Sequence, residues 1–130
     1  MWPRVGGLRS VELGTPGEMR ARLNALVLAG TKRATAGLLA EYAEEGEELE
    51  SVGERMALVD DDLRHVGTVV VTGVEVVAFA DVTWDFAQAE GEGFTSLEHW
   101  RAGHRRYWGA EGREVTDGTQ VVCLRMELES

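Results

Sequence analysis

The chain is poor in sulfur, in imidazole and in positive charge. Its one cysteine, Cys123, cannot close an internal disulfide, and no group of Cys and His has zinc spacing, which is the pattern of a reducing, cytoplasmic setting. The three histidines, His65, His99 and His104, are scattered, so the sequence offers no coordinating set and no metal or other cofactor is expected. No apolar run reaches the length of a membrane span. Residues Met1 to Ser10 include Pro3, Arg4, two glycines and Arg9, and they lack the apolar stretch of a signal peptide, so no membrane partner is expected. Lys and Arg number 13 against 23 Asp and Glu, a net charge of −10, which argues against non-specific binding to a nucleic-acid duplex through phosphate neutralisation. Neither an internal repeat nor a linker rich in Pro or Ser divides the 130 residues. A single domain over residues 1–130 is expected, and at that size folding buries about two-thirds of the extended chain's surface.

The charge is uneven. Between Glu41 and Asp62 ten acids stand against one base, Arg55, a pattern read as a solvated acidic loop without the spacing of an EF-hand. Between His99 and Arg113 four arginines stand against Glu111, so a locally basic surface coexists with an acidic whole and an anionic ligand is not excluded.

Thr15, Pro16 and Glu18 have the order of N-cap, first helical residue and capping-box acid. Met19, Leu23, Leu26 and Val27 recur at helical spacing with Leu28 widening the stripe, so a helix is predicted from Pro16 to about Ala29, stopped by Gly30. Leu38, Leu39, Tyr42 and Ala43 predict a second short helix. A strand is expected over Arg55 to Val59, a turn at Asp60 to Asp62, and a valine-rich β segment over His65 to Asp81, in which Gly73 marks a bulge or a hairpin. Thr83 to Ala89 reads as a short helical turn. Thr95 with Glu98, or Ser96, starts a helix that carries Leu97, Trp100, His104, Tyr107 and Trp108 on one face and is expected to end at Gly109. Thr119 to Leu128 alternates as a half-buried strand. Helices early and late, with β segments between and after them, give an α+β domain with a small sheet or barrel flanked by helices.

Two constellations can carry chemistry. Lys32 and Thr35 place an amine and a hydroxyl three residues apart just after a helix ends. A Thr oxygen can attack a carbonyl while the Lys accepts its proton or holds the oxyanion. The same stretch also reads as a helix stop, in which Lys32 and Arg33 offset the negative end of the helix dipole. The second constellation is Glu90 and Glu92 in a Gly-rich loop, where carboxylates can orient or move protons. Around it lie Trp84, Phe86, Trp100, His104, Tyr107 and Trp108, which are either core or a platform for stacking a flat ring. His104, four residues after Trp100, points inward. Arg101 and Arg105 share another face that contacts phosphate or pairs with acids.

Gly30, Lys32, Ala34 and Thr35, followed by Glu90, Gly91, Glu92, Gly93, Ser96, Trp100, Arg101 and His104, resemble the ASCH domain family over nearly the whole chain. The resemblance implies a PUA-like small β-barrel flanked by helices. Its cleft would be lined by the Lys and Thr motif and the acidic loop. It also implies hydrolysis of the amide of N4-acylated cytidine-type nucleosides, with Lys32, Thr35 and Glu90 as catalytic residues, Glu92 as the alternative acid, and Arg33, Glu92, Trp100, Arg101 and His104 toward the substrate. Other members of the family are ribonucleases or RNA-associated modules, so the alternatives are metal-independent cleavage of single-stranded RNA and RNA binding without turnover. Phe94 stands where many relatives have Asp, and Ser51 where Pro is common. A free lysine has a pKa of about 10.4, so either Lys32 is lowered by burial and acts as the base, or it donates to the oxyanion and a carboxylate is the base.

Overall fold

The computed structural model describes residues Met1–Ser130. Its elements in chain order are β1 (Arg4–Val5), β2 (Leu8–Val11), α1 (Glu18–Leu28), β3 (Ala34–Leu38), α2 (Leu39–Glu45), β4 (Arg55–Val59), β5 (His65–Ala78), α3 (Trp84–Ala89), α4 (Leu97–Ala110) and β6 (Gln120–Leu128), with one 3-10 turn at Phe79–Asp81. The α+β class holds, but the expected barrel is an open sheet. Six strands run in the order β1-β2-β4-β5-β6-β3, and β1 and β3 are its two edges. With only two residues, β1 has too few backbone groups to close the sheet against β3. No helix is long and apolar enough to cross a membrane.

β5 is the longest strand. Its first half pairs with β4, its second half with β6, and the register shifts between Val71 and Gly73. Gly73 therefore belongs to a bulge in one bent strand and not to a hairpin. Both faces of the sheet are covered. On one face Leu23 and Val27 of α1 pack with Met56, Leu58, Val69, Leu124 and Met126; on the other, Trp100 and Trp108 of α4 pack with Phe79, Phe86, Val121 and Cys123. This corrects the reading of β6 as half-buried, since Val121, Val122, Cys123 and Leu124 are all buried and alternate between two cores.

Four local expectations are corrected. Thr15 does not cap α1; Gly17 takes the N-cap position with no side-chain cap, and its N–H donates to Asp61. The turn before the helix is held instead by buried Arg20, which donates to the carbonyls of Leu13 and Gly14 and pairs with Asp61 at 3.4 Å. Leu28 is exposed rather than part of the buried stripe. α4 runs through Gly109 to Ala110, and Ser96, not Thr95, caps it by accepting from the His99 N–H. The acidic run is a set of fasteners more than a solvated loop: Glu47 binds both guanidinium nitrogens of Arg4, Glu44 binds Arg113, and Glu50 is buried against Tyr42.

The transfer of capping from a hydroxyl to a buried guanidinium gives a paired prediction. Thr15→Ala should change unfolding free energy by no more than about 0.5 kcal/mol. Arg20→Ala, which strands two buried carbonyls, should cost about 2–4 kcal/mol in urea denaturation.

Candidate functional site

Helix α1 ends in a way that aims Lys32 at the sheet. Gly30 adopts φ +80°, and the N–H groups of Thr31 and Lys32 both return to the Leu26 carbonyl, at 2.9 and 3.0 Å. The helix stop and the placing of the amine are thus one structure. The Lys32 side chain is 1% exposed. Its Nζ donates to the Ala34 carbonyl at 2.8 Å and to Glu92 Oε2 at 2.7 Å, and lies 3.8 Å from Glu90 Oε2.

The acidic loop is set directly on this segment. Gly91 has φ +67°, and a Cβ there would overlap the Thr31 carbonyl, so only glycine lets the two backbones approach. The Arg33 N–H donates to Ala89 O at 2.8 Å, tying β3 to the end of α3 just ahead of the acids.

Behind Glu90 stands His104. Its Nδ1 lies 2.9 Å from the Trp100 carbonyl, and a carbonyl only accepts, so Nδ1 carries a proton. The remaining nitrogen, Nε2, is 3.4 Å from Glu90 Oε2, a contact that is attractive only with a further proton between the two groups. Trp100 stacks under the imidazole with ring centroids 4.0 Å apart. Burial works against ionised Glu90, but the hydrogen bond from His104 and the charges of Lys32 and His104 together hold its carboxyl below the usual range. Glu92 moves the other way. Its burial and the neighbouring Glu90 carboxyl outweigh Lys32 and push it up. The two acids are therefore unequal: Glu90 stays ionised beneath, and Glu92, nearer the opening, is the one that holds a proton more readily.

This cluster forms one wall of a cavity of about 610 Å³. Thr35 and Gly37 of β3 lie opposite Leu124 and Val122 of β6 in register, and all four line the cavity from one face of the sheet. Six carboxylates line it (Glu12, Glu41, Glu50, Glu90, Glu92 and Glu111) against three permanent cations, Arg20, Arg22 and Lys32.

Of the residues expected at the site, Lys32, Glu90, Glu92 and His104 come together in direct contact, and Thr35 shares their cavity. Trp100 is fully buried behind His104 and does not reach the cavity wall. Arg33 is exposed and also off that wall. Arg101 donates to the Ala80 carbonyl at 2.9 Å and lines a smaller, separate recess with Arg105, itself paired with Asp117. Phe94, noted as a departure from many relatives, lines the cavity and meets His104 with centroids 5.5 Å apart. The sequence reading missed four other lining residues of the cavity, Trp2, Ser10, Tyr42 and Glu50. Tyr42 and Glu50 are eight residues apart across a loop, and no periodicity joins them. Glu50 is one acid in a run of ten, with nothing in its neighbours to mark it as buried.

The comparisons with known proteins agree with this architecture. Residues 10–129 match the family described as the ASCH domain. Among solved structures, protein EF3133 of Enterococcus faecalis is 28% identical with a TM-score of 0.80, the match covering 91% of this chain and 74% of that one. An ASCH domain from Lactobacillus crispatus is 26% identical with a TM-score of 0.80, covering 92% of this chain and 77% of the other. An ASCH protein from Zymomonas mobilis, at 11% identity and a TM-score of 0.53 over 82% of this chain and 63% of that one, shares the fold alone. No curated protein matches the chain. The family match spans strands β3 to β6, the Lys32 turn and the acidic loop together, and by it the chain belongs to the ASCH domain family.

Proposed function

We propose that this ASCH domain hydrolyses the amide of N4-acylated cytidine-type nucleosides, with Thr35 as nucleophile, Lys32 as oxyanion donor, Glu92 as the acid–base group and Glu90 as the residue that positions Lys32 and Glu92. The observation that carries the reading is the buried Lys32 amine, held by Glu92 and Glu90 on the wall of a cavity that also presents Thr35. An ammonium has three N–H groups. Two are committed to Ala34 and Glu92, and the third makes no hydrogen bond, with Glu90 Oε2 at 3.8 Å, so it can turn to a ligand oxygen and Lys32 enters as a donor and not as the base.

Glu92 takes the proton role because burial lifts its carboxyl toward the range in which a group can both accept and return a proton near neutral pH. The Thr35 oxygen adds to the acyl carbonyl as its proton passes to Glu92. The oxyanion is met by Lys32, and the C–N bond breaks as Glu92 returns the proton to the leaving nitrogen. Water then cleaves the Thr35 ester, its proton passing to Glu92 and on to Thr35, and the acyl group departs as a carboxylate. Glu90 touches no reacting atom. Ionised by His104 and Lys32, it holds the Lys32 amine in place and keeps the Glu92 carboxyl raised. The excess of acids around the cavity favours an uncharged nucleoside over an RNA strand. The arginines that would have held a phosphate, Arg101 and Arg105, are engaged elsewhere.

Lys32→Ala and Thr35→Ala should each lower kcat/KM on N4-acetylcytidine by about 10²-fold or more with an unchanged circular-dichroism spectrum; full activity in either variant would refute the assignment. Cleavage of labelled single-stranded RNA in chelator, with no release of acetate from N4-acetylcytidine, would replace this reading with the ribonuclease.

The pH profile has a defined sign. Activity should rise with pH as Glu92 loses its proton, and Glu92→Gln should abolish that limb with a loss of about 10²–10⁴-fold. Because the Glu90 charge helps to raise Glu92, Glu90→Gln should move the limb to lower pH in the fraction that remains active.

Gly91→Ala should cost at least about tenfold in kcat/KM and lower the melting temperature by several degrees, since a side chain at positive φ forces the acidic loop off Thr31.

A further inference from the structure

Part of the cavity wall is built from side chains that the hydrolytic chemistry does not use. Ser10, Tyr42 and Glu50 are each more than nine-tenths buried and all line the cavity. The Tyr42 hydroxyl is the one donor that Glu50 receives from another side chain within hydrogen-bond distance, shared between Oε1 at 2.9 Å and Oε2 at 3.2 Å. Arg9, the nearest cation, stands 3.9 Å away and spends its hydrogen bonds on Glu54 and the Glu48 carbonyl. A carboxylate has about four lone-pair sites, so Glu50 has acceptor capacity to spare. The Ser10 hydroxyl is buried without any partner. Tyr42, having donated its proton, retains lone pairs that can accept.

The chemistry complementary to this wall is a neutral group that both donates and accepts at adjacent positions. A cation is disfavoured because Arg9 already balances Glu50 at 3.9 Å, and a phosphate is disfavoured by the six carboxylates around the cavity. Two neighbouring hydroxyls meet the requirement: each donates to a Glu50 oxygen, and one of their oxygens accepts the single Ser10 O–H. Trp2, half-buried on the same wall and edge-on to Tyr42 with centroids 4.8 Å apart, adds an apolar surface for the carbon face of a sugar. Burial pushes the Glu50 carboxyl up, which also suits a neutral partner better than a charged one.

We infer that Ser10, Tyr42 and Glu50 form a subsite for the vicinal hydroxyls of an unphosphorylated ribose, so that this cavity takes free ribonucleosides in preference to the bare base, the deoxynucleoside or the nucleotide. The inference rests on the nucleoside reading given above and assigns its specificity to residues that take no part in the proposed proton transfers.

The test uses product-side ligands, so that it does not depend on turnover. Cytidine, 2′-deoxycytidine, cytidine 5′-monophosphate and cytosine are titrated calorimetrically into the full chain and into Ser10→Ala, Tyr42→Phe and Glu50→Gln. Cytidine should bind at least about tenfold more tightly than cytosine or 2′-deoxycytidine, the worth of one to two hydrogen bonds to a charged or buried partner, and the monophosphate should bind no better than cytidine. Glu50→Gln and Ser10→Ala should each remove most of that advantage while leaving cytosine affinity within about twofold, a loss far below a full bond for the untouched base. Tyr42→Phe, which keeps the ring and removes only the hydroxyl bound to Glu50, should likewise reduce the preference for cytidine over cytosine. Equal binding of cytidine and cytosine by the unaltered chain, or discrimination that survives in all three variants, would overturn the subsite. If ribose discrimination is present but N4-acetylcytidine is not hydrolysed, the hydrolytic reading fails and the subsite stands; hydrolysis without ribose discrimination removes the subsite and leaves the hydrolytic reading in place.

Discussion

A lysine amine sealed from water and held by two carboxylates is the constraint around which this chain is arranged. Burying a charge without partners is prohibitive, and burying a cation with two acids is tolerable only when the spare acid finds its own donor. Each surrounding feature meets one of these needs. The α1 stop presents the amine, the Ala34 carbonyl accepts one of its hydrogen bonds, the glycine loop supplies two carboxyls, and His104 faces Oε2 of the deeper of them, whose Oε1 is left without a partner. His104 in turn is fixed by a backbone carbonyl and by the face of Trp100. The site is therefore a chain of dependencies, amine to acid to imidazole to indole, that runs from the cavity wall into the second core.

This order explains why residues of like type have different fates. Glu90 and Glu92 are two residues apart in one loop, yet one is stabilised as an anion and the other is pushed toward its neutral form. The difference is set by which of them faces His104. The two tryptophans of α4 serve as core and as the bed for the histidine, and Phe94 brings a further aromatic surface against it.

Much of this was legible in the sequence, and the reasons for success and failure are physical. Lys32, Glu90 and Glu92 could be singled out because glycines beside them announce unusual backbone, and the β segments because valines cluster there. His104 could be turned inward because its spacing from Trp100 is helical. What could not be read was made by contacts between distant segments. Trp100 looks like a stacking platform until α4 is docked, when it is fully buried. Arg101 looks free until the Ala80 carbonyl is seen to accept its hydrogen bond. Thr15 has the residue type of a cap, but Arg20 and Asp61 reach the same turn from elsewhere and displace it. Glu50 was hidden by its neighbours, because a run of ten acids gives no local sign of which one is buried. The open sheet was equally invisible, since closure depends on the lengths of strands at opposite ends of the sheet order.

The cavity draws its walls from both hydrophobic clusters, Leu23 and Met56 from one and Trp108 from the other. A molecule bound there is held by two halves of the core that are otherwise joined by the sheet and by the chain from Lys32 through Glu90 to His104. Its binding free energy is then shared between them, and whatever loosens α4 weakens the ligand by the same amount that the ligand tightens α4. An occupied cavity would couple the opening of the two clusters more tightly than the links between them do alone.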